Sequence, residues 1–315
     1  TWSQMKRNLP TISVRDIEIQ RRENDLVVGT FGRGIYVVDD YTPLRTDASS
    51  LEEFHLFAPR DPWLFVEGDR WGGSEKGSIG NAFFTAPNPD FGAVLRYFVR
   101  DGLESRKEIR RKAEQVIASE GGDTPYPSWD ALRAEDRELK PAVYLMIRDA
   151  QGRLIRQVTG KSGTGLHQTA WDLRLPAPEP VSITSGGSRP YWMSDPVGPL
   201  VLPGKYSARL AIERDGVLTD TGASRSFTVK ALPGSDEITT DRQALQTFQL
   251  EVASLQRAVR GSVKAMGELR NRLAHIRATI SVTPAMTAQD REAVTSLEAR
   301  LSDLGVRFNG DRTVS

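Results

Sequence analysis

Composition and charge exclude several classes of function for this chain of 315 residues. Its 42 basic and 41 acidic side chains leave a net charge of +1, so no global charge favours nucleic acid or an anionic membrane. The absence of cysteine excludes disulfides, thiolate metal sites and a cysteine nucleophile, and three scattered histidines argue against a histidine metal cluster. No apolar run approaches the length of a membrane span, and we expect no cofactor.

Residues 1–45 read as alternating strands joined by a glycine-rich turn. The segment DLVVGTFGRGIYVVDD, residues 25–40, sets three glycines between two runs rich in valine and isoleucine. A phosphate-binding loop would continue into a helix, whereas the residues after Gly34 are β-branched or aromatic and favour a strand. The pattern therefore predicts a hairpin with glycines at positive φ. Asp39 and Asp40 are adjacent, which makes them a poor catalytic pair, and we predict that they end the strand and begin a turn.

Residues 46–92 form a connector rich in proline, glycine and aromatic residues, in which we expect short strands. Candidate binding residues lie in this connector and in a second loop at about 176–199. Flat aromatic rings on loops can stack against sugars or anchor a protein partner; the alternative is that they fill the contacts between neighbouring domains. The candidates are Trp63, Arg70, Trp71, Tyr191 and Trp192.

Residues 93–233 carry many short strands separated by turns, which is typical of an immunoglobulin-like β-sandwich. The segment GKSGTG, at 160–165, has the glycines of a turn between two such strands and lacks the glycine spacing of a phosphate-binding loop. Alternation along the following strand predicts that Trp171 is buried between two sheets and that Asp172 lies at the sandwich edge.

A charged helical insertion is predicted at residues 101–140. The segment ESRKEIRRKAEQVIASE places its few apolar residues on one face and sets Glu108 one turn before Lys112, which suits a surface helix. A second short helix follows Ser128, a good N-cap. The basic run at 106–112 could meet an anionic surface, but its interleaved glutamates favour a solvated helix face.

Residues 234–315 are predicted to be a helical hairpin. Pro284 ends the first helix, of about 241–281, and Thr287 with Asp290 approximates a capping box for a second helix at 288–304. We expect the second helix to pack antiparallel on the 264–281 half of the first. The remaining seam then needs a third helix from outside this chain or a partner, self-association included. The seam residues recur at spacings of three and four: Leu245, Phe248, Val252, Leu255, Val259, Val263, Met266, Leu269, Leu273, Ile276 and Ile280.

Residues 9–233 resemble a known family in several stretches. LPTISVRDIEIQRRENDLVVGTFGRGIYVVDDYTPLR is similar to the closing segment of the large bacterial propellers related to sortilin and to neuraminidase-repeat proteins, often labelled glycosyl hydrolases. HQTAWDLRLPAP and GPLVLPGKYSARL resemble the immunoglobulin-like domain of the flagellar hook-capping protein. The residues that match the propeller pattern are Gly29, Thr30, Gly32, Gly34, Ile35, Asp39 and Asp40.

This resemblance implies a mainly β fold with α elements: the last segment of a β-propeller blade, an immunoglobulin-like β-sandwich with a helical insertion, and a C-terminal antiparallel helical hairpin. It implies a non-catalytic accessory and recognition region of an exported protein, periplasmic or extracellular, that supports the propeller and binds protein or glycan. No S-x-D-x-G-x-x-W Asp-box occurs in this chain. The alternative is that the chain belongs to a glycoside hydrolase whose active site lies on the propeller outside it.

Overall fold

The computed structural model describes residues 9–67, 88–180, 196–234 and 241–311. Within these ranges the chain is a mixed α/β protein with several antiparallel sheets and four α-helices. The strands are β1 Val14–Gln20, β2 Asp25–Thr30, β3 Ile35–Val38, β4 Phe54–Leu56, β5 Trp63–Leu64, β6 Ala93–Val99, β7 Ala142–Asp149, β8 Leu154–Gly160, β9 Gly165–Trp171, β10 Gly204–Arg214 and β11 Val217–Ala231. The helices are α1 Arg106–Ser119, α2 Trp129–Arg137, α3 Arg242–Val282 and α4 Ala288–Asn309.

The chain divides into two compact units. One is built from residues 1–173 and 202–240, and it holds the sheets and the two short helices. The other is built from residues 174–201 and 241–315, and it holds α3 and α4.

The first sheet has the order β1-β2-β3 and is antiparallel throughout. The predicted hairpin is confirmed: β2 and β3 pair across a turn in which Gly32 and Gly34 have φ of 81° and 79°. The Thr30 hydroxyl donates to the Gly34 carbonyl at 2.6 Å and closes this turn. The prediction for Asp39 and Asp40 is confirmed as well, since β3 ends at Val38 and a 3₁₀ turn follows from Thr42.

Two further sheets pack face to face, with the orders β5-β11-β10-β7-β8 and β4-β6-β9. Trp171, at the end of β9, is 1% exposed, and its ring centroid lies 5.5 Å from that of Tyr206 and 6.3 Å from that of Phe227 on the facing sheet. This confirms the predicted burial of Trp171. The next residue, Asp172, is half-buried just beyond the strand. The largest fully buried side chains of this core are Trp171, Tyr97, Leu56, Leu95, Leu145, Ile147, Leu173, Leu210, Val99, Val143 and Val229.

The connector supplies one short strand to each of these two sheets. β4 pairs antiparallel with β6, and β5 pairs parallel with the end of β11, where Trp63 lies opposite Lys230. The expected short strands are therefore present, and pairing places both of them at the margins of the packed sheets.

The helical insertion stands outside the core. Ser105 and Ser128 cap α1 and α2, and α1 and α2 contain no buried residue. The predicted pairing of Glu108 with Lys112 is not made. Glu108 instead accepts from the Ser105 backbone amide in a capping box, which draws its carboxylate back towards the helix N-terminus, and Lys112 pairs with Glu104.

In the second unit, α3 and α4 pack antiparallel on the predicted half of α3. The Arg277 guanidinium contacts the Glu298 carboxylate at 2.9 Å, and Thr287 with Asp290 forms the predicted capping box. α4 continues five residues past the predicted end at 304 and stops at Asn309, where Gly310 follows with φ of 77°. The buried cluster between the helices is Met266, Leu273, Ile280, Val294 and Leu301.

Candidate functional site

A buried arginine joins the first sheet to the packed sheets of the same unit. Arg96, on β6, is 8% exposed, and its Nη1 donates to Asp40 Oδ2 at 2.6 Å, while Nη2 donates to the Asp39 carbonyl at 3.1 Å. Asp40 is 5% exposed and sits at φ of 48°, a conformation in which its own amide donates to Asp25 Oδ1 at 2.9 Å. The turn after β3 is therefore held by the Arg96 guanidinium and by the Asp25 carboxylate.

The electrostatics of Arg96 follow from this burial. Burial lowers its pKa from the ordinary value, while the charge of Asp40 acts in the opposite direction. An arginine remains protonated at neutral pH even so, which makes the Arg96–Asp40 contact a buried ion pair.

A second arginine binds the same end of the first sheet, at the turn between β1 and β2 and at the start of β2. Arg60 Nη1 donates to the Glu23 carbonyl at 2.6 Å and also contacts the carboxylates of Glu23 at 3.2 Å and Asp25 at 3.3 Å. Arg60 lies between β4 and β5, so both arginines come from the packed sheets and both bind turns of the first sheet. The arrangement fixes the orientation of the hairpin within this unit.

A cleft of about 360 Å³ opens beside Arg96. Its floor is apolar and comes from β2 and β3, and His167 and Gln168 of β9 form part of its wall. The tilted ring of His167 lies 5.5 Å from that of Tyr97. The charged groups at its edge, Asp40 and Arg96, are already paired with one another, so the cleft offers mainly apolar contacts.

A second cleft, of about 430 Å³, surrounds Trp63. Trp63 is 40% exposed, and Phe65 packs edge-on against Phe91 with ring centroids 4.8 Å apart. Pairing of β5 with β11 fixes the backbone of Trp63 opposite Lys230 and so limits the directions that the Trp63 ring can take. The cleft therefore presents exposed aromatic rings, and the backbone of one of them, Trp63, is held by pairing with β11.

Carboxylates line the edge of the Trp63 cleft, and their partners limit what they can do. Burial raises the pKa of Asp61, but a hydrogen bond from Lys230 and another from the Thr228 amide outweigh it, and the pKa lies below its ordinary value. Asp90 accepts from Gln168 Nε2 at 3.3 Å. These carboxylates can orient a polar ligand, but none of these contacts prepares one as a proton donor.

The structure places one predicted binding residue, Trp63, in an open cleft. The other four, Arg70, Trp71, Tyr191 and Trp192, lie outside the described residues.

Sequence reasoning did not identify Arg60 and Arg96 as linking residues. For Arg96 a signal exists: AVLRYFV is an apolar strand with one charged residue in its centre, and a charge in such a position requires a buried partner. The sequence does not say which carboxylate that partner is. Arg60 lies in a polar turn and carries no comparable signal.

Comparisons with protein-family models, with curated proteins and with solved structures gave no match for this chain. In the part of the chain that the structure describes, no cluster of three or more histidine, cysteine, aspartate or glutamate side chains is arranged to hold a metal ion. None of the described helices combines the length and the hydropathy of a membrane span.

Proposed function

We propose that this chain is a non-catalytic accessory and recognition region of an exported, sortilin-like propeller protein. In this proposal β1–β3 belongs to the last propeller blade, the two packed sheets form an immunoglobulin-like domain, and the chain supports the propeller while it binds protein or glycan. The site of export is the periplasm or the extracellular space.

The observation that carries the proposal is the exposure of apolar residues on both faces of the β1-β2-β3 sheet. Ile17 and Ile19 share one face and are 56% and 45% exposed, whereas Ile35 and Val37 share the other face and are 72% and 53% exposed. A sheet on the surface of an ordinary domain has one solvated polar face. A propeller blade instead seats both of its faces against neighbouring blades, which would cover these residues.

The two arginines suit a supporting role. They hold the end of the first sheet that lies opposite the Gly32 turn on the packed sheets, through Arg96 to Asp40 and through Arg60 to Glu23 and Asp25. A blade held by these ion pairs has a fixed orientation relative to the packed sheets, and the propeller to which it belongs would then have a fixed orientation relative to them as well. The Trp63 cleft supports the recognition role, because exposed aromatic rings beside paired carboxylates can stack on a sugar or receive an apolar side chain.

The sequence of the coding region upstream of Thr1 tests the propeller part of the proposal. Repeated S-x-D-x-G-x-x-W boxes and a basic-then-apolar leader are the expected result. A start codon immediately before Thr1 would contradict both the blade assignment and the assignment to an exported protein.

The recognition part is tested by retention of the 315-residue chain on a panel of polysaccharides and peptidoglycan, measured by affinity electrophoresis. If a glycan binds, Trp63→Ala is expected to reduce retention strongly. Trp129→Ala is the matched control, since Trp129 is 68% exposed on α2, away from the cleft. Equal retention of wild type and Trp63→Ala would exclude the cleft as the glycan site, and absence of retention on every glycan would leave a protein ligand.

A further inference from the structure

The long helix α3 has an apolar row that α4 does not cover. Contacts of Arg277 with Glu298 and of Arg291 with the Ile280 carbonyl fix the register of the two helices. In that register α4 ends near Met266, so the first half of α3 lies beyond it. The apolar residues of that half are Leu245, Phe248, Val252, Leu255 and Val259, which are 44%, 62%, 46%, 66% and 37% exposed.

The segments 174–180 and 196–201 of the same unit contact a different side of α3. Gln246 Nε2 donates to the Leu200 carbonyl at 2.9 Å, and Arg260 pairs with Glu179. Gln246 and Arg260 are two heptads apart and therefore share one side of the helix, which is turned away from the apolar row. Within the described residues this row has no covering element.

The second half of α3 carries a matching pair of exposed apolar residues. Leu269 and Ile276 are 47% and 46% exposed, although Met266 and Leu273 beside them are buried against α4. They occupy the heptad position that faces neither α4 nor the segments around Glu179. Both halves of α3 thus present exposed apolar residues on this face. Leu245 and Val252 are seven residues apart in the first half, as Leu269 and Ile276 are in the second.

This face is complementary to itself in an antiparallel arrangement. When two copies of α3 run in opposite directions, Leu245 of one copy lies opposite Ile276 of the second copy, and in the same register Val252 lies opposite Leu269 of the second copy. Near the two-fold axis Val259 of one copy lies opposite Ser262 of the other, and the exposed residues Ala258 and Ala265 beside them are small enough to permit a close approach.

The charges beside the row fit the same register. Glu251 precedes Val252 and Arg272 precedes Leu273 by one position. Val252 and Leu273 are three heptads apart, so Glu251 and Arg272 lie on the same edge of the helix. Both are exposed, and neither makes an ion pair within the described part of the chain. In the antiparallel register Glu251 of each copy lies close to Arg272 of the other, so the two-fold axis produces two ion pairs between the helices.

We propose that the chain forms a two-fold dimer in which α3 pairs antiparallel with α3 of a second copy, through this face. A helix of 41 residues is about 60 Å long, and a contact strip about 10 Å wide on each copy buries about 1,200 Å² in total. That area is at the lower end of the range for specific interfaces, so the dimer is expected to dissociate on dilution.

Charge reversal tests the interface without altering the hairpin core. Sedimentation velocity of the 315-residue chain over a range of concentrations is expected to show a monomer–dimer equilibrium. Glu251→Arg and Arg272→Glu are each expected to weaken dimerisation about tenfold, and the double variant is expected to recover most of this loss. Glu268→Arg is the matched control, because Glu268 is exposed on the same helix but outside the face. A chain that is monomeric at every concentration, or a control that acts like the two single reversals, would overturn the proposal.

The absence of cysteine allows the register to be tested directly. Single variants Leu245→Cys and Ile276→Cys, mixed and oxidised, are expected to form a disulfide-linked dimer that neither variant forms in high yield alone. A parallel pairing would instead link each variant to itself. Equal yields in the mixed and the separate samples would therefore contradict the antiparallel register.

Discussion

Arg96 places a full charge in the centre of an otherwise apolar strand. The cost of removing that charge from water is offset only because Asp40 lies at 2.6 Å and the Asp39 carbonyl receives the second nitrogen. Removal of one partner leaves the other buried and unpaired. The pair therefore determines where the turn after β3 can lie.

We expect Arg96→Met and Asp40→Asn each to lower the free energy of unfolding by about 3–5 kcal/mol, because each leaves an uncompensated polar group. The combined variant is expected to lose less than the sum of the two. Chemical denaturation measures this directly. The exposed pair Arg133–Asp130 provides the control, and its disruption by Arg133→Met is expected to cost less than about 1 kcal/mol. Equal costs at the buried and the exposed pair would contradict this account.

Tyr97 is a second residue whose burial has a measurable consequence. Its side chain is fully buried, its hydroxyl donates to the Lys161 carbonyl at 2.8 Å, and burial raises its pKa to about 12. Its ring leaves no space for a side chain at position 160, since a Cβ on Gly160 would lie 2.9 Å from the Tyr97 Cζ atom.

The raised pKa of Tyr97 predicts a loss of stability in alkali. A phenol whose pKa is about 10 in the unfolded chain and about 12 in the folded one contributes roughly 2–3 kcal/mol below pH 10, and this is lost as the pH rises through about 12. Denaturant midpoints across this range are expected to fall less steeply in Tyr97→Phe than in the wild type. Tyr126→Phe, at an exposed tyrosine, should leave the slope unchanged. Identical slopes in wild type and Tyr97→Phe would contradict the prediction.

At the scale of elements, α1 depends on local interactions more than on the core. No residue of α1 is buried, and Ile109 and Val116 on its apolar side are 57% and 56% exposed. Its support comes from the Ser105 capping box and from Arg110, whose guanidinium binds Glu135 of α2 at 2.6 Å and 2.8 Å. An element of this kind opens independently of the global fold.

Ser105→Ala is therefore expected to lower the free energy of opening of α1 by about 1 kcal/mol and to leave the free energy of global unfolding unchanged. Hydrogen exchange of the α1 amides, compared with global denaturation, separates the two effects. Ser119→Ala is the control, because its hydroxyl binds the Val116 carbonyl at the opposite end of the helix and caps no amide. A loss of global stability equal to the loss in α1 would show that the helix folds with the core.

The elements that the sequence predicts well are those defined by neighbours in the chain. The hairpin around Gly32 and the cap at Thr287 depend on residues a few positions apart, and both are as predicted. The burial of Trp171 follows from alternation along one strand. The contact of Thr228 with Asp61 joins residues 167 positions apart, and no local pattern specifies it.

The candidate site could be predicted only in part, for the same reason. Trp63 is identifiable as an exposed aromatic residue, but its cleft depends on the parallel pairing of β5 with β11, which propensity does not indicate. Arg96 and Asp40 are 56 positions apart, so a buried charge can be suspected from the strand while its partner cannot. The predicted end of α4 is five residues early because Gly305, a poor helix former, follows Leu304, although Phe308 continues the apolar spacing to Asn309.

At the scale of the whole molecule, the nearly balanced charge bears on how copies associate. A net charge of +1 gives little long-range repulsion between copies, so short-range apolar contacts decide association. The chain has two separate sets of exposed apolar residues, on β1–β3 and on α3, and only the second belongs to the proposed dimer. A two-fold helix contact closes at two copies, whereas an unpaired edge of a sheet can add strands without limit.

The last expectation concerns catalysis by the chain as a whole. Hydrolysis of a glycosidic bond needs two carboxyl groups across the sugar, one of them with a raised pKa so that it can act as the acid. Around the two clefts, Asp40 is paired with Arg96, Glu23 and Asp25 are bound by Arg60, and Asp61 has a lowered pKa.

We therefore expect the 315-residue chain to release no product from aryl glycosides or from the polysaccharides used in the binding panel. If turnover is found, Asp61→Asn and Asp90→Asn, at two carboxylates that line the Trp63 cleft, test its origin, with Asp130→Asn as an exposed control on α2. Activity that survives all three excludes Asp61 and Asp90 as catalytic groups. Activity that disappears in one cleft variant and persists in the control would place a catalytic carboxylate here and contradict the accessory role.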